Sequence, residues 1–153
     1  MRIAFFLIAF VIAGTLARAQ TPDVDPRLVA VVQAALKAQQ EGQLVQAEAG
    51  YRMFLEAEPR NVEVLANLGV VYAGLGRYDD AIATYRKALD ISSLSTPIRM
   101  NLAIAYYKAA RCAEALPEFA RVLQGSPGLY NGLLLAADEN WEILAKAACH
   151  KLD

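Results

Sequence analysis

The sequence predicts an all-α solenoid, a stack of helical hairpins, and three observations lead there. Ala47, Ala81 and Ala115 stand thirty-four residues apart, and each is followed four residues later by an aromatic ring, Tyr51, Tyr85 and Phe119. The same step connects Gln33, Asn67 and Asn101, and it connects Gly42 with Gly76. Within each period the apolar residues recur at helical spacing, and strand signals are absent. A fixed period of this size marks one supersecondary unit stacked on copies of itself.

The first element is expected to be a signal peptide over residues 1–19. Met1 and Arg2 give a short positive start, Ile3 to Leu16 is an almost unbroken apolar run, and Ala17 and Ala19 are the small residues a signal peptidase inspects. The run is fourteen residues, short of the roughly 20 that cross a bilayer as a helix. No cysteine directly follows it, so a lipid-anchored signal is not supported. The expectation is an exported protein, periplasmic or secreted, cleaved after Ala19, with no stable membrane insertion afterwards. Intact mass of the mature chain checks it, since a first residue other than Gln20 would refute that cleavage.

Removing Arg2 and Arg18 leaves 13 of the 15 basic residues against 16 acidic ones. That balance gives no electrostatic case for nucleic acid or an anionic membrane, which need clustered Lys and Arg. Cys112 and Cys149 could pair or stay as small buried hydrophobes; two cysteines make no disulfide framework, and the second reading is the plainer one.

Residues 20–27 read as an extended lead-in, with Pro22 and Pro26 both opposing helix. From Leu28 the chain divides into blocks 28–61, 62–95 and 96–129, with a partial fourth over 130–153. The middle block shows the physics most clearly. Asn61 caps a helix carrying Val64, Leu65, Leu68, Val71, Tyr72 and Leu75 at helical spacing. Gly76 ends it where a left-handed residue is cheap, and Arg77 to Asp80 turn the chain. A second helix presents Ala81, Ile82, Tyr85, Ala88 and Leu89. Small Gly69 and Ala81 suit a close helix approach, with Tyr72 and Tyr85 filling the wider gaps.

Leu65-x2-Leu68-Gly69-x2-Tyr72, then Ala81-x3-Tyr85 and Ala88, resembles the tetratricopeptide repeat. The third block is similar, with Leu102-Ala103-x2-Tyr106, Ala115-x3-Phe119 and Pro127. The first is weaker, with Ala34, Ala35 and Ala38, but recovers through Gly42, Ala47, Tyr51 and Pro59. The resemblance implies a right-handed superhelix of three repeats. In the middle block Ser93 replaces the closing proline, and Thr96-Pro97 is expected to cap and start the next helix. Pro117 is expected in an early turn, where its missing N–H costs little. The fourth block keeps Leu133, Ala136 and Ala137 but has Asn140 in place of the ring, and reads as a degenerate cap.

Enzyme chemistry has little material, so no catalytic residue, metal or cofactor is expected. The lone histidine, His150, stands three residues from the end of the chain. It cannot anchor a rigid triad, and no His/Cys/Glu set has metal-ligand spacing. Cys149-His150 lacks the first cysteine of a haem-attachment motif, since Lys146 stands there, and there is no glycine-rich phosphate loop.

Binding has a candidate surface. The resemblance implies a concave face lined by the first helix of each repeat, with Gln33, Asn67 and Asn101 as its sixth positions. An amide both donates and accepts, so it can pair with the backbone of an extended peptide without reading its sequence. First helices about 10 Å apart match one amide to every third peptide residue at about 3.3 Å each. The other lining positions are less polar than a solvated surface should be, and include Val32, Leu36, Val70, Met100, Ile104 and Tyr107, with Trp141 from the fourth block. Such a stripe marks an interaction site, or is filled by the protein's own lead-in or C-terminal helix. The carboxylate-clamping variety of the family is not expected. Its Lys and Asn of the first repeat would fall at Val32 and Leu36, its Lys and Arg of the third at Pro97 and Asn101, and only Asn67 matches its pattern. The expected function is a non-catalytic adaptor or scaffold that binds another protein or peptide segment. The alternative is a homo-oligomer assembled through apolar Trp141, Ile143 and Leu144.

Overall fold

The computed structural model describes residues 25–125, and the side chains of 123–125 are not considered. Six helices follow one another: α1 (Pro26–Gln40), α2 (Leu44–Ala57), α3 (Val62–Gly74), α4 (Tyr78–Ile91), α5 (Thr96–Lys108) and α6 (Cys112–Gly125). Among the described residues there is no strand. The helices pack as hairpins, α1 with α2, α3 with α4 and α5 with α6, and each second helix also packs on the next first helix. The first helices α3 and α5 touch directly, as they must on the inner side of a curved stack.

The three hairpin turns have one geometry. In the first, Gly42 N–H donates to Gln39 and Gln43 N–H to Ala38 (3.1 and 2.8 Å). Gly76 and Arg77 repeat this to Ala73 and Tyr72, and Ala110 and Arg111 to Tyr107 and Tyr106, at 3.1 and 2.9 Å in both cases. This pair of bonds satisfies the last carbonyls of a helix and needs a left-handed residue just past its end. Gly42 and Gly76 supply it at φ 77° and 74°; the third turn uses Ala110 at φ 58°.

The core sits between the two helices of each hairpin and between hairpins. Ala47, Tyr51, Ala81, Tyr85, Tyr106 and Ala115 are all essentially inaccessible. Close approach is bought by missing atoms. A Cβ on Gly69 would lie 2.4 Å from the Tyr85 ring, and one on Gly50 would lie 2.7 Å from the Ala35 Cβ. The middle hairpin therefore sets glycine against tyrosine, and the first sets alanine against glycine. That explains the weak opening helix. α1 turns Ala30, Ala34, Lys37 and Glu41 outward, at the positions where α3 buries Val64, Leu68 and Val71 and half-buries Leu75. With no helix among the described residues against that face, large apolar residues there would have none of these helices to pack on.

Three boundaries differ from expectation. Pro26 opens α1 rather than opposing it, with Asp25 capping through Arg27 N–H at 2.8 Å; proline is pre-set for the first helical position, where its missing N–H has no partner to lose. Asn61 caps α3 through Val64 N–H at 3.0 Å as read, but the residue before α5 is Ser95, not Thr96, with no side-chain cap bond. Pro117 is the sixth residue of α6, in its second turn; that is early, but past the positions whose N–H has no helical partner, so the bond to the Ala113 carbonyl is lost. Cys112 is disulfide-bonded rather than a buried thiol, while Cys149 lies outside the described residues, as do the lead-in before Asp25, the signal segment, His150 and Trp141.

Candidate peptide-binding face

The candidate face is built by the first helices. On α3, Glu63, Asn67 and Val70 are four and three residues apart, so they share one side. Val29, Gln33 and Leu36 on α1, and Pro97, Asn101 and Ile104 on α5, occupy the same positions one period away. All nine are exposed or half-buried, while their neighbours Leu65, Leu68, Leu102 and Ala103 are buried. A helix that hides Leu65, Leu68 and Tyr72 on one side must leave the opposite side open at about 100° per residue.

The expected site residues divide by burial. Gln33 is exposed; Asn67 and Asn101 are half-buried. Val70 and Ile104 are large apolar side chains left 39% and 42% exposed. Leu36 and Met100 are half-buried, and Val32 and Tyr107 lean on the core, each contributing only an edge. Two residues were passed over. Val29 is 46% exposed and precedes Gln33 by four, a spacing that could have found it. Gln39 accepts a hydrogen bond from the Tyr51 hydroxyl at 2.8 Å, which ties this face to a fully buried ring; nothing in the period announces that bond.

The face carries little charge. Two arginines stand instead at the turns. Arg77 donates to Asp80 at 2.7 Å and to Glu48 of the preceding hairpin at 2.9 Å, and stacks 4.5 Å over Tyr72. Arg111 repeats this with Glu114, Asp79 and Tyr106, and its hydrogen bond holds the Glu114 carboxyl below the ordinary carboxylate range. Among the described residues no three His, Cys, Asp or Glu side chains gather as metal ligands, and no helix is long and apolar enough to cross a membrane.

The thirty-four-residue hairpins, their shared turn and their small-to-large packing are those of a tetratricopeptide array. The tetratricopeptide repeat profile matches residues 62–93, the hairpin of α3 and α4. The chain is 33% identical over 82 residues to Photosystem I assembly protein Ycf3 of Synechococcus sp. (strain WH7803), covering 52% of this chain and 47% of that one. It is 31% identical over 83 residues to Tetratricopeptide repeat protein 8 of Caenorhabditis elegans, covering 52% and 16%. The chain thus spans about half, or less, of the curated relatives it matches. Among solved structures, MamA (AMB-1) superposes with a TM-score of 0.64 at 27% identity, over 67% of this chain and 61% of that one. The first repeat domain of Spaghetti (RPAP3), bound to an HSP90 peptide, gives 0.63 at 20% identity, over 66% and 80%.

Proposed function

We infer that the protein is a non-catalytic adaptor that holds an extended, partly apolar segment of another protein against its first helices. One observation carries this reading: the first helices of three successive hairpins present an amide and an apolar side chain at the same two positions, Gln33 with Leu36, Asn67 with Val70, and Asn101 with Ile104. The apolar members supply contact area, and the amides hydrogen-bond a strand-like backbone whose repeat suits their spacing. Family likeness supports it at the level of the scaffold, since function lives in the site and not the fold.

Replacing Asn67 and Asn101 together by alanine tests the amides. At about 0.5–1.5 kcal/mol per lost hydrogen bond, recovery of the partner in a crosslinking pull-down should fall about tenfold, with helicity and melting temperature nearly unchanged. Unchanged recovery would sink the amide ladder. Sedimentation separates the rival: assembly into oligomers at micromolar concentration would favour self-association through the C-terminal region over capture of a separate partner.

A further inference from the structure

On the side of α3 opposite Asn67 and Val70, a cleft of about 330 Å³ opens between α2 and α4. Leu55, Leu65, Leu68 and Tyr72 form its floor and walls, and Arg52 and Lys87 stand on its two rims. Leu65, Leu68 and Tyr72 lie roughly 160° around the helix from Glu63, Asn67 and Val70, at 100° per residue. This cleft is therefore independent of the face described above.

The next interval of the stack shows what the cleft lacks. One period on, between α4 and α6, Leu65 is replaced by Arg99 and Thr84 by Glu118. There the Arg99 guanidinium bonds the Glu118 carboxylate at 2.7 Å and the Ser93 carbonyl at 2.6 Å, and Arg86 lies 5.5 Å over Tyr106. A charged pair, largely shielded from water, spans that interval. In the earlier interval Thr84 donates to the Asp80 carbonyl of its own helix at 2.7 Å, and Leu65, itself buried, lines the cleft with an apolar side chain where the later interval has a charged one.

We propose that the cleft between α2 and α4 is a second binding site, which takes an apolar side chain flanked by a carboxylate from a partner protein. The apolar group rests on Leu55, Leu65 and Leu68. The carboxylate meets the rims, where Arg52 and Lys87 outnumber the single acid, Glu56. Among the described residues Lys87 has no ion-pair partner, and Arg52 has only Glu48 at 3.6 Å, so both cations are available. The volume sits at the low end of the roughly 300–1,000 Å³ of small-ligand pockets, which suits one anchoring side chain rather than a long segment.

The test is an amide chemical-shift titration of the folded protein with two capped tripeptides, acetyl-Asp-Leu-Asp-amide and acetyl-Lys-Leu-Lys-amide. The acidic peptide should saturate shifts at Leu55, Leu65, Leu68 and Thr84, with a dissociation constant on the order of 1 mM, several-fold tighter than the basic peptide and weaker in high salt. The double substitution L65R/T84E transplants the ion pair of the next interval and should abolish those shifts. K87E, a surface change that leaves the floor intact, should reverse the preference between the two peptides. Absence of saturable shifts at these amides, binding unaltered by K87E, or shifts confined to Asn67 and Asn101 would each overturn the proposal. Only the last would leave the first-helix site standing by itself, so the two sites fail separately.

Discussion

Ala110 is where the repeat departs from its own rule. Gly42 and Gly76 hold the left-handed position of their turns at φ 77° and 74°, and Ala110 holds it at 58° with a side chain attached. A left-handed conformation costs an L-residue roughly 1–2 kcal/mol, and glycine returns about 0.5–1 kcal/mol of that by the larger freedom it loses on folding. Ala110→Gly should therefore stabilise the protein by about 0.5–1 kcal/mol, read as a higher urea midpoint at constant slope. A lower midpoint would mean that the third turn relies on the Ala110 methyl for packing. The period itself showed the glycine at two turns; that the third keeps the geometry without it comes only from the repeated bonds of Ala110 and Arg111.

Among the elements, α6 carries an internal contradiction. Its apolar pattern continues through Ala115 and Val122, both buried, yet Pro117 interrupts its hydrogen bonds at the sixth residue. An interior proline costs about 3 kcal/mol relative to alanine in a helix, less the roughly 0.4–1 kcal/mol by which it stiffens the unfolded chain. Pro117→Ala should stabilise the fold by about 2–2.6 kcal/mol. Amide exchange along α6 should slow most within the turn before it, and exchange no slower there would refute this account. The links between elements were only half legible. Arg77 and Arg111 keep the period, but their acids in the preceding hairpin do not, since Glu48 lies three residues further along α2 than Asp79 does along α4. The same limit hid the cleft: its character depends on residue pairs such as Arg99 with Glu118, formed between hairpin helices nineteen residues apart, whereas the open face repeats within every first helix and could be read directly.

At the scale of the whole molecule, the stack was legible because one constraint, a large ring beside a small residue, recurs in each hairpin at a fixed step. That constraint also sets how the molecule meets alkali. Burial raises the phenols of Tyr51, Tyr72 and Tyr85 above their ordinary value, with nearby Glu63 adding to the effect on Tyr51 and Glu48 to that on Tyr72. A phenol whose folded value is raised holds its proton more tightly folded than unfolded. Its contribution is complete below the unfolded value, about 10, and is lost as pH climbs from there towards the folded one. Stability should thus be flat with respect to these groups up to about pH 9 and then fall, approaching about 1.4 kcal/mol per pH unit for each tyrosine that stays protonated. Because Tyr51 and Tyr85 belong to successive hairpins that share a core, the loss strikes the stack at two levels together. The urea midpoint measured from pH 7 to 11 should bend downward near 10, as the unfolded phenols begin to ionise. Tyr85→Phe should lessen the bend, since the ring stays against Gly69 while the ionisable oxygen is gone. A midpoint that falls equally in wild type and Tyr85→Phe would show that alkaline unfolding is governed elsewhere, for example by loss of positive charge from the lysines.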